Sequence, residues 1–493
     1  MSKSSDRAFG KRLSLEAKLV DATVRQHPFI TISVGLFFLW LGLLFQAPAF
    51  LDGQGDLSLS LIASWALFVS VYSLGYLAML CSYRRLTRLF ESRLWSFAAC
   101  GLMELGGVLN AALAGGLLDF GSLRPIVSFA ATAIMCVGTS FIMPIGASAQ
   151  YYTGSRNAVA LSMVGMVGSS ALLIVISILG PCAKLVAILA IPLVLPFTTN
   201  ASYPSKASRK RVFEHGLDTK RPLVPYKLLL TAMIHGASFG SLILFVQLYP
   251  DSGSTLLFNA LWFLVGMLFV FVLVFLFRRD YNSLIYRCSL PYIALGLLLV
   301  CLQGFGIMVG CSLIALGYAF LHVVMCGVCA YLVRQFDIPT LWVLCLTTLF
   351  FAMGQVVGVV LIGVGIAKGV SLSVLAATGL FGVLVAALYL STDVNVRYGW
   401  GIVRPSESIE ENAAIPSAVR LLATERNLTT RESEVIALAA QGMARKEIAS
   451  ALVLSEDTIK SHVRHAYAKL GISSKQELIE LVQGKAARKR RGE

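Results

Sequence analysis

The feature that most constrains this chain is repetition of a single length. An apolar stretch of about 20 residues is what a helix needs to cross the hydrocarbon layer, and twelve such stretches follow one another before residue 391. Their approximate limits are 29 to 50, 57 to 80, 94 to 117, 125 to 147, 158 to 179, 183 to 199, 226 to 248, 255 to 277, 284 to 303, 306 to 333, 340 to 366 and 370 to 390. With no water in the hydrocarbon layer, a segment of this kind has to satisfy its own backbone, and a helix does so within one stretch. The composition agrees: 57% of residues are hydrophobic and only 14% charged, far from the balance of a soluble globular protein. The fold class expected is all-α, a twelve-helix transmembrane bundle over 29–390 followed by a small helical domain.

Positive charge in the connections orients the spans, because Lys and Arg in short loops are held on the cytoplasmic side. Alternate loops carry Arg84, Arg85, Arg88 and Arg93; Arg156; Lys206, Arg209, Lys210, Arg211, Lys220 and Arg221; Arg278 and Arg279; and Arg334. The loops between them hold little beyond Asp52, Asp56, Asp119 with Arg124, Lys184, Asp251 and Lys368. Residues 1–28, basic through Lys3, Arg7, Lys11, Arg12, Lys18 and Arg25, read as a retained cytoplasmic arm. An even number of spans then returns the C-terminus to the cytoplasm, and a multi-pass protein of the bacterial inner membrane is expected.

The longest internal connection, 200–225, is also the most basic, and it divides the spans six and six. This organisation resembles the major facilitator superfamily. The resemblance implies two six-helix halves that rock about a ligand site near mid-membrane. One departure stands out: where that family pairs an Asp with Gly and Arg after its second span, this chain reads Tyr83-Arg84-Arg85-Leu86-Thr87-Arg88, with the arginines and no Asp.

Ionisable groups at bilayer depth are costly and need a reason. Glu104 can bind a ligand amine, carry a proton, pair with His235 or His322, or serve as a protonated packing residue. His235 and His322 fit interhelical hydrogen bonding as well as ligand contact. Asn110, Gln247, Gln303 and Gln355 are candidates to line a cavity or to join helices. Glu104, Asn110, His235 and His322 form the candidate ligand set. Glycine clusters at Gly106-Gly107 and at Gly363 with Gly365 fit close helix packing. The ten cysteines lack a disulfide framework, and Cys326 and Cys329, although spaced C-x-x-C, sit in an apolar run without a second pair for zinc. No metal or other cofactor is expected.

After Leu390 the hydropathy falls. A linker, 391–427, contains Pro405 and Pro416 and leads to a soluble domain at 428–483, then a basic tail at 484–493 with Lys485, Arg488, Lys489, Arg490 and Arg491. Within the domain, Val435, Leu438 and Ala439 share a helix face that Gly442 ends. A second helix over 445–452 turns Ile448, Ala449 and Leu452 inward, with Val453-Leu454 as the turn. Ser455 caps a third, 455–470, with Glu456 and Asp457 complementing its dipole. There Ile459, Val463 and Tyr467 share one face, while Lys460, Ser461, Arg464 and His465 occupy others. A fourth helix, 475–483, presents Leu478, Ile479 and Val482 as an apolar strip.

These residues resemble the LuxR/GerE helix-turn-helix over 428–483, through Leu-Thr-x-Arg-Glu-x-Glu-Val, Lys-Glu-Ile-Ala, Ser-x-x-Thr-Ile-Lys-x-His and Lys-Leu-Gly-Ile. The resemblance implies that the third helix enters the major groove, with Lys460, Ser461 and Arg464 at base edges, and that Leu478, Ile479 and Val482 pair two copies as a homodimer. Thr458, His462 and Lys469 take phosphate or structural positions. The chain departs from the family at Ala444-Arg445, where a capping hydroxyl is replaced and Arg445 is placed to contact phosphate.

Together these features predict a membrane-bound one-component transcriptional regulator, with promoter DNA, the lipid bilayer and a small-molecule ligand as its partners. The alternative is a secondary transporter with an appended regulatory or vestigial DNA-binding domain. With no soluble nucleophile and base pair, phosphate loop or metal cluster, an enzyme is not expected.

Overall fold

The computed structural model describes residues 3–45, 59–217, 224–247, 252–277, 284–335 and 338–390, and towards the C-terminus 419, 422–423, 425–440, 445–452, 454–474, 477–478 and 481–482. Asp52, Asp56, Lys220, Arg221, Asp251, Arg278, Arg279, Pro405, Pro416, Gly442, Ala444, Val453 and the tail cations Lys485, Arg488, Lys489, Arg490 and Arg491 lie outside the described residues, as do the side chains of Lys3, Arg7, Lys11, Arg12, Gln247 and Ile479. The chain forms two compact units, Met1–Val396 and Arg397–Glu493. Among the described residues there is no strand.

The first unit is built from α1 (Lys3–Gln26), α2 (Pro28–Phe45), α3 (Leu59–Cys81), α4 (Tyr83–Phe90), α5 (Leu94–Ala114), α6 (Arg124–Tyr152), α7 (Ser155–Leu179), α8 (Pro181–Ala201), α9 (Lys206–Glu214), α10 (Tyr226–Gln247), α11 (Ser252–Val270), α12 (Leu290–Cys301), α13 (Phe305–Gln335), α14 (Thr340–Ala367) and α15 (Leu372–Leu390). Every apolar run read from the sequence coincides with one of the longer helices. Among the described residues, however, eight helices are long and apolar enough to cross a membrane by themselves, and ten if each of two bent pairs counts as one span. Two further apolar helical segments, Ala260–Leu276 and Leu290–Cys301, belong to α11 and α12 among the described residues. They pass into π-helical turns at Phe271–Leu276 and Ile285–Ser289, on either side of 278–283.

The lipid-facing surface shows why such a chain cannot stand in water. Leu94, Ile178, Phe305, Phe381 and Leu388 are each at least 70% exposed, an apolar exterior that hydrocarbon solvates and water does not. The interior holds the largest side chains, including Trp40, Trp65, Tyr76 and Phe245. Helices meet closely where small residues allow it. A Cβ at Gly236 would run into the Phe351 carbonyl oxygen, and one at Gly354 into that of Met233, so α10 and α14 cross almost backbone to backbone.

Three amphipathic helices join the spans at the basic end. The N-terminal segment expected as an arm is helix α1, set at 90° to α2 with the break at Pro28. It buries Glu16 and Val20, one turn apart, and Glu16 pairs with Arg156 at the start of α7. The turn from α3 into α4 is 95°; α4 buries Thr87 and Phe90 while its arginines stay exposed, the pattern of a helix lying in the membrane interface. On α9, capped by Ser205, Arg209 is buried. Its guanidinium lies 4.9 Å from the Tyr203 ring and donates to the Phe90 carbonyl at 2.6 Å, to Asn200 and to Ser96. The central connection is therefore fastened to the first half through Arg209.

The second unit contains α16 (Thr430–Ala440), α17 (Arg445–Leu452) and α18 (Glu456–Leu470). Helix α16 opens with a reciprocal cap. Glu432 Oε2 accepts from the Thr429 N–H at 2.8 Å, and the Glu432 N–H donates to Thr429 Oγ1 at 3.2 Å. Ser455 caps α18 by accepting from the Thr458 N–H at 3.1 Å, and Gly471, at φ 72°, ends it in the left-handed conformation a side chain disfavours. The core gathers Val435, Ile436 and Ala439 of α16, Ile448 and Ala449 of α17, and Ile459, Val463, Ala466 and Leu470 of α18. Several positions differ from the sequence reading. Ile436 occupies the inward position expected of Leu438, and Ala466 with Leu470 that expected of Tyr467; Leu438 and Tyr467 are only partly buried. Val419 and Leu422, assigned to the linker, belong to the core. Leu478 and Val482, expected as a homodimer strip with Ile479, are fully buried in the same core. Side chains that close their own domain's core have no apolar surface left for a second copy.

Candidate functional site

Nine helices from both halves, α2, α3, α6, α7, α8, α10, α11, α13 and α14, surround one cavity of about 290 Å³ in the membrane unit. That is close to the lower limit of about 300–1,000 Å³ usual for small-molecule sites, so a compact ligand fits. The lining is mostly aromatic and aliphatic, with scattered hydroxyls and amides, and among the described residues it includes no Asp, Glu, Lys or Arg.

His235 and His322 are brought together there, ring centroids 5.5 Å apart. The close crossing of α10 and α14 places His235, adjacent to Gly236, against Phe351 at 4.8 Å, while α13 supplies Tyr318 at 4.6 Å. Phe38 of α2 meets His322 edge-on at 4.9 Å. The Nε2 of His235 is buried without a hydrogen-bond partner. On the opposite wall, Ser33 and Thr199 hydrogen-bond at 2.8 Å, and Gln150 is held by the Ala158 carbonyl at 3.0 Å and by Ser162.

The other two membrane candidates lie elsewhere. Helix α5, which carries Glu104 and Asn110, contributes nothing to the lining. Asn110 joins α5 to α6, donating to Thr132 Oγ1 and accepting from Ser128 Oγ, both at 3.2 Å. Glu104 is half-buried with Oε2 unpartnered, and no ion pair links it to His235 or His322. Periodicity could not show this, because whether a polar residue on a span faces the bundle centre or a neighbouring helix depends on packing. Of the amides, Gln355 reaches the cavity, whereas Gln303 hydrogen-bonds Ser373 at 3.0 Å in the connection between α12 and α13. The sequence reading missed the aromatic wall and the Gly236/Gly240 and Gly354/Gly358 pairs. Their four-residue spacing was a usable signal. Cys326 and Cys329 line the cavity as free thiols, with Cys326 accepting from the Tyr151 hydroxyl at 3.9 Å. Among the described residues, no three His, Cys, Asp or Glu side chains converge as metal ligands.

In the second unit, α18 buries one face and leaves Lys460, Arg464 and His465 exposed on another, with Ser461 and His462 half-buried beside them. Arg445, at the start of α17, is exposed. Two candidates are held by the domain itself. Thr458 is tied to the Ser455 cap through both its N–H and its hydroxyl. Lys469 donates to Glu432 Oε2 at 2.7 Å and to the Asn427 carbonyl at 3.1 Å, which fastens α18 to the start of α16. Burial works to raise the Glu432 carboxyl, but the hydrogen bonds from Lys469 and Thr429 outweigh it and hold the group below its ordinary value.

A short helix packed against a longer one with an exposed basic face is the geometry that lets the second helix enter a major groove. The family model of bacterial regulatory proteins of the luxR family matches residues 426–482. Residues 426–482 are a LuxR-family helix-turn-helix domain. Two relatives are similar over this part. The oxygen regulatory protein NreC of Staphylococcus aureus is 45% identical over 53 residues, which is 11% of this chain and 24% of NreC. A Mycobacterium tuberculosis protein named as an HTH-type transcriptional regulator is 39% identical over 54 residues, only 6% of its own length. The membrane unit, in contrast, is similar in fold to solved transporters. The proton:xylose symporter XylE aligns over 75% of this chain and 96% of its own with a TM-score of 0.51 at 13% identity. The nucleoside transporter NupG aligns over 74% and 97% with a TM-score of 0.50 at 15% identity. At such identities the likeness is one of fold: the LuxR domain is joined to a membrane unit folded like these transporters.

Proposed function

We propose that this chain is a membrane-bound one-component transcriptional regulator of the bacterial inner membrane. A small ligand binds in the cavity between the two helical halves, and the LuxR domain, on the cytoplasmic side with both termini, binds promoter DNA. The observation that carries the reading is a ligand-sized cavity lined by both halves, in the same chain as a DNA-binding domain. Lys460, Ser461 and Arg464 are proposed at base edges, Arg445 and His462 at phosphates. Pairing of two copies on the promoter is part of the proposal, through a surface other than Leu478 and Val482. No catalytic step is assigned.

Ligand control requires differential affinity for two arrangements of the halves, and a 100-fold preference supplies about 2.7 kcal/mol. The transporter-like fold supports a second reading, secondary transport. Sensing is favoured by the DNA-binding domain carried on the same chain. The test pairs promoter occupancy in cells, mapped with and without candidate ligands, with uptake by proteoliposomes under an imposed proton gradient. Ligand-dependent occupancy without uptake supports the regulator. Gradient-driven uptake with occupancy unchanged would establish the transporter instead.

A further inference from the structure

The chemistry of the cavity wall narrows what can occupy it. A charged ligand would leave its water shell for a lining with no side chain of opposite formal charge, an arrangement that costs several kcal/mol in real proteins. The same lining has no carboxylate to hold an imidazolium at His235, which sits 4.6 to 4.8 Å from two aromatic rings and 5.5 Å from a second imidazole. His235 is therefore a neutral ring.

Nε2 has no hydrogen-bond partner, and a ring nitrogen pairs as donor or acceptor according to the tautomer. His235 is 3% exposed and lines the cavity, so a partner for it comes through the cavity. A hydroxyl stands nearby. The Tyr76 hydroxyl donates to Met143 Sδ at 3.0 Å, so in its 3.3 Å contact with Tyr72 it is the Tyr72 hydroxyl that donates, and Tyr72 faces the cavity with acceptor capacity free.

From these observations we infer that the ligand is an uncharged aromatic compound whose hydroxyl hydrogen-bonds His235 Nε2. Flat rings of the wall, among them Phe38, Phe239 and Phe351, take the aromatic body, and the orphaned nitrogen selects the polar group. The inference deepens the sensing proposal and rests on it.

The test uses the full chain in lipid nanodiscs and three probes of one shape: 2-naphthol, naphthalene and 2-naphthoate. Binding is measured by fluorescence and calorimetry, with empty nanodiscs subtracted. The expected result is saturable binding of 2-naphthol about tenfold tighter than naphthalene, and none by 2-naphthoate. In His235→Phe the preference for 2-naphthol over naphthalene falls to about one, while naphthalene still binds, which also reports that the cavity is intact. His235→Gln, which keeps an acceptor, retains part of the preference. Binding of 2-naphthoate as tight as that of 2-naphthol, no saturable binding of either neutral probe, or an unchanged preference in His235→Phe would overturn the inference. Promoter occupancy measured alongside separates the two proposals. Hydroxyl-dependent binding that leaves occupancy unchanged counts against sensing and not against the ligand class, and occupancy that responds only to charged compounds does the reverse.

Discussion

Basic side chains on a single helix can differ entirely in what they do, and α18 provides the contrast. Lys460 and Arg464 are exposed and free to meet a base edge, where one good contact is worth about 1–3 kcal/mol. Alanine at either is expected to weaken promoter affinity at least several-fold and to relax preference at one base pair, measured by binding to single-substituted operators, with thermal stability unchanged. Lys469 is spoken for by Glu432 and Asn427. Lys469→Ala is expected to lower the stability of the LuxR domain by about 1–2 kcal/mol, seen as an earlier unfolding transition. Glu432 adds a pH dependence of definite sign. Its carboxyl is held below the ordinary 4.5 in the folded domain, so its stabilisation is complete above that value and is lost as the pH falls through the lower, folded value. Glu432→Gln should flatten this acid limb of a melting profile; an equally steep limb in the variant would refute the assignment. The resemblance already placed Lys460 and Arg464 on the helix implied to meet DNA. The tether of Lys469 was not legible, because it joins residues 37 positions apart.

Helices were the most legible scale, since a bilayer fixes their length and every apolar run became one. What the runs could not show was how helices meet. The right angles at Pro28 and Ser82 and the π-helical turns in α11 and α12 arise from local backbone adjustment, and hydropathy averages over that. Leu478 and Val482 were misread for a related reason: an apolar strip on a helix does not say whether it covers the domain's own core or another chain. The crossing of α10 with α14 is the element-scale feature with the clearest consequence. Gly240 meets the backbone of Gln355, a Cβ there falling 2.6 Å from its carbonyl oxygen, and Gly236 is tighter still. Gly236→Ala is expected to cost about 1–3 kcal/mol and, by pushing α10 away from α14, to separate His235 from Phe351. The readout is a lower melting temperature together with loss of 2-naphthol binding. Gly101→Ala, on α5 where nothing lies within 4 Å, serves as the control and should change neither.

At the scale of the whole membrane unit, the halves are joined at their basic end by contacts suited to breaking. Arg156 of the first half, already paired with Glu16, lies 5.7 Å from the Phe275 ring of the second. Arg334 of the second half lies 4.9 Å from the Tyr152 ring of the first, and Tyr83 meets Trp342 at 5.0 Å. None of these three contacts between halves is an ion pair. A cation over a ring is worth about 0.5–2 kcal/mol, enough to bias two arrangements of the halves without fixing one. If sensing works by a shift between such arrangements, weakening this seam should imitate or oppose the ligand without touching its site. Arg334→Ala removes one contact of about 1 kcal/mol and is expected to move basal promoter output about fivefold, with 2-naphthol affinity raised where the bias imitates the ligand and lowered where it opposes it. Arg156→Lys keeps a charge near Glu16 but gives up the flat guanidinium over Phe275, and should move output in the same direction by less. Because binding and bias are thermodynamically linked, a change in basal output with ligand affinity unaltered would show that the seam and the cavity do not belong to one equilibrium.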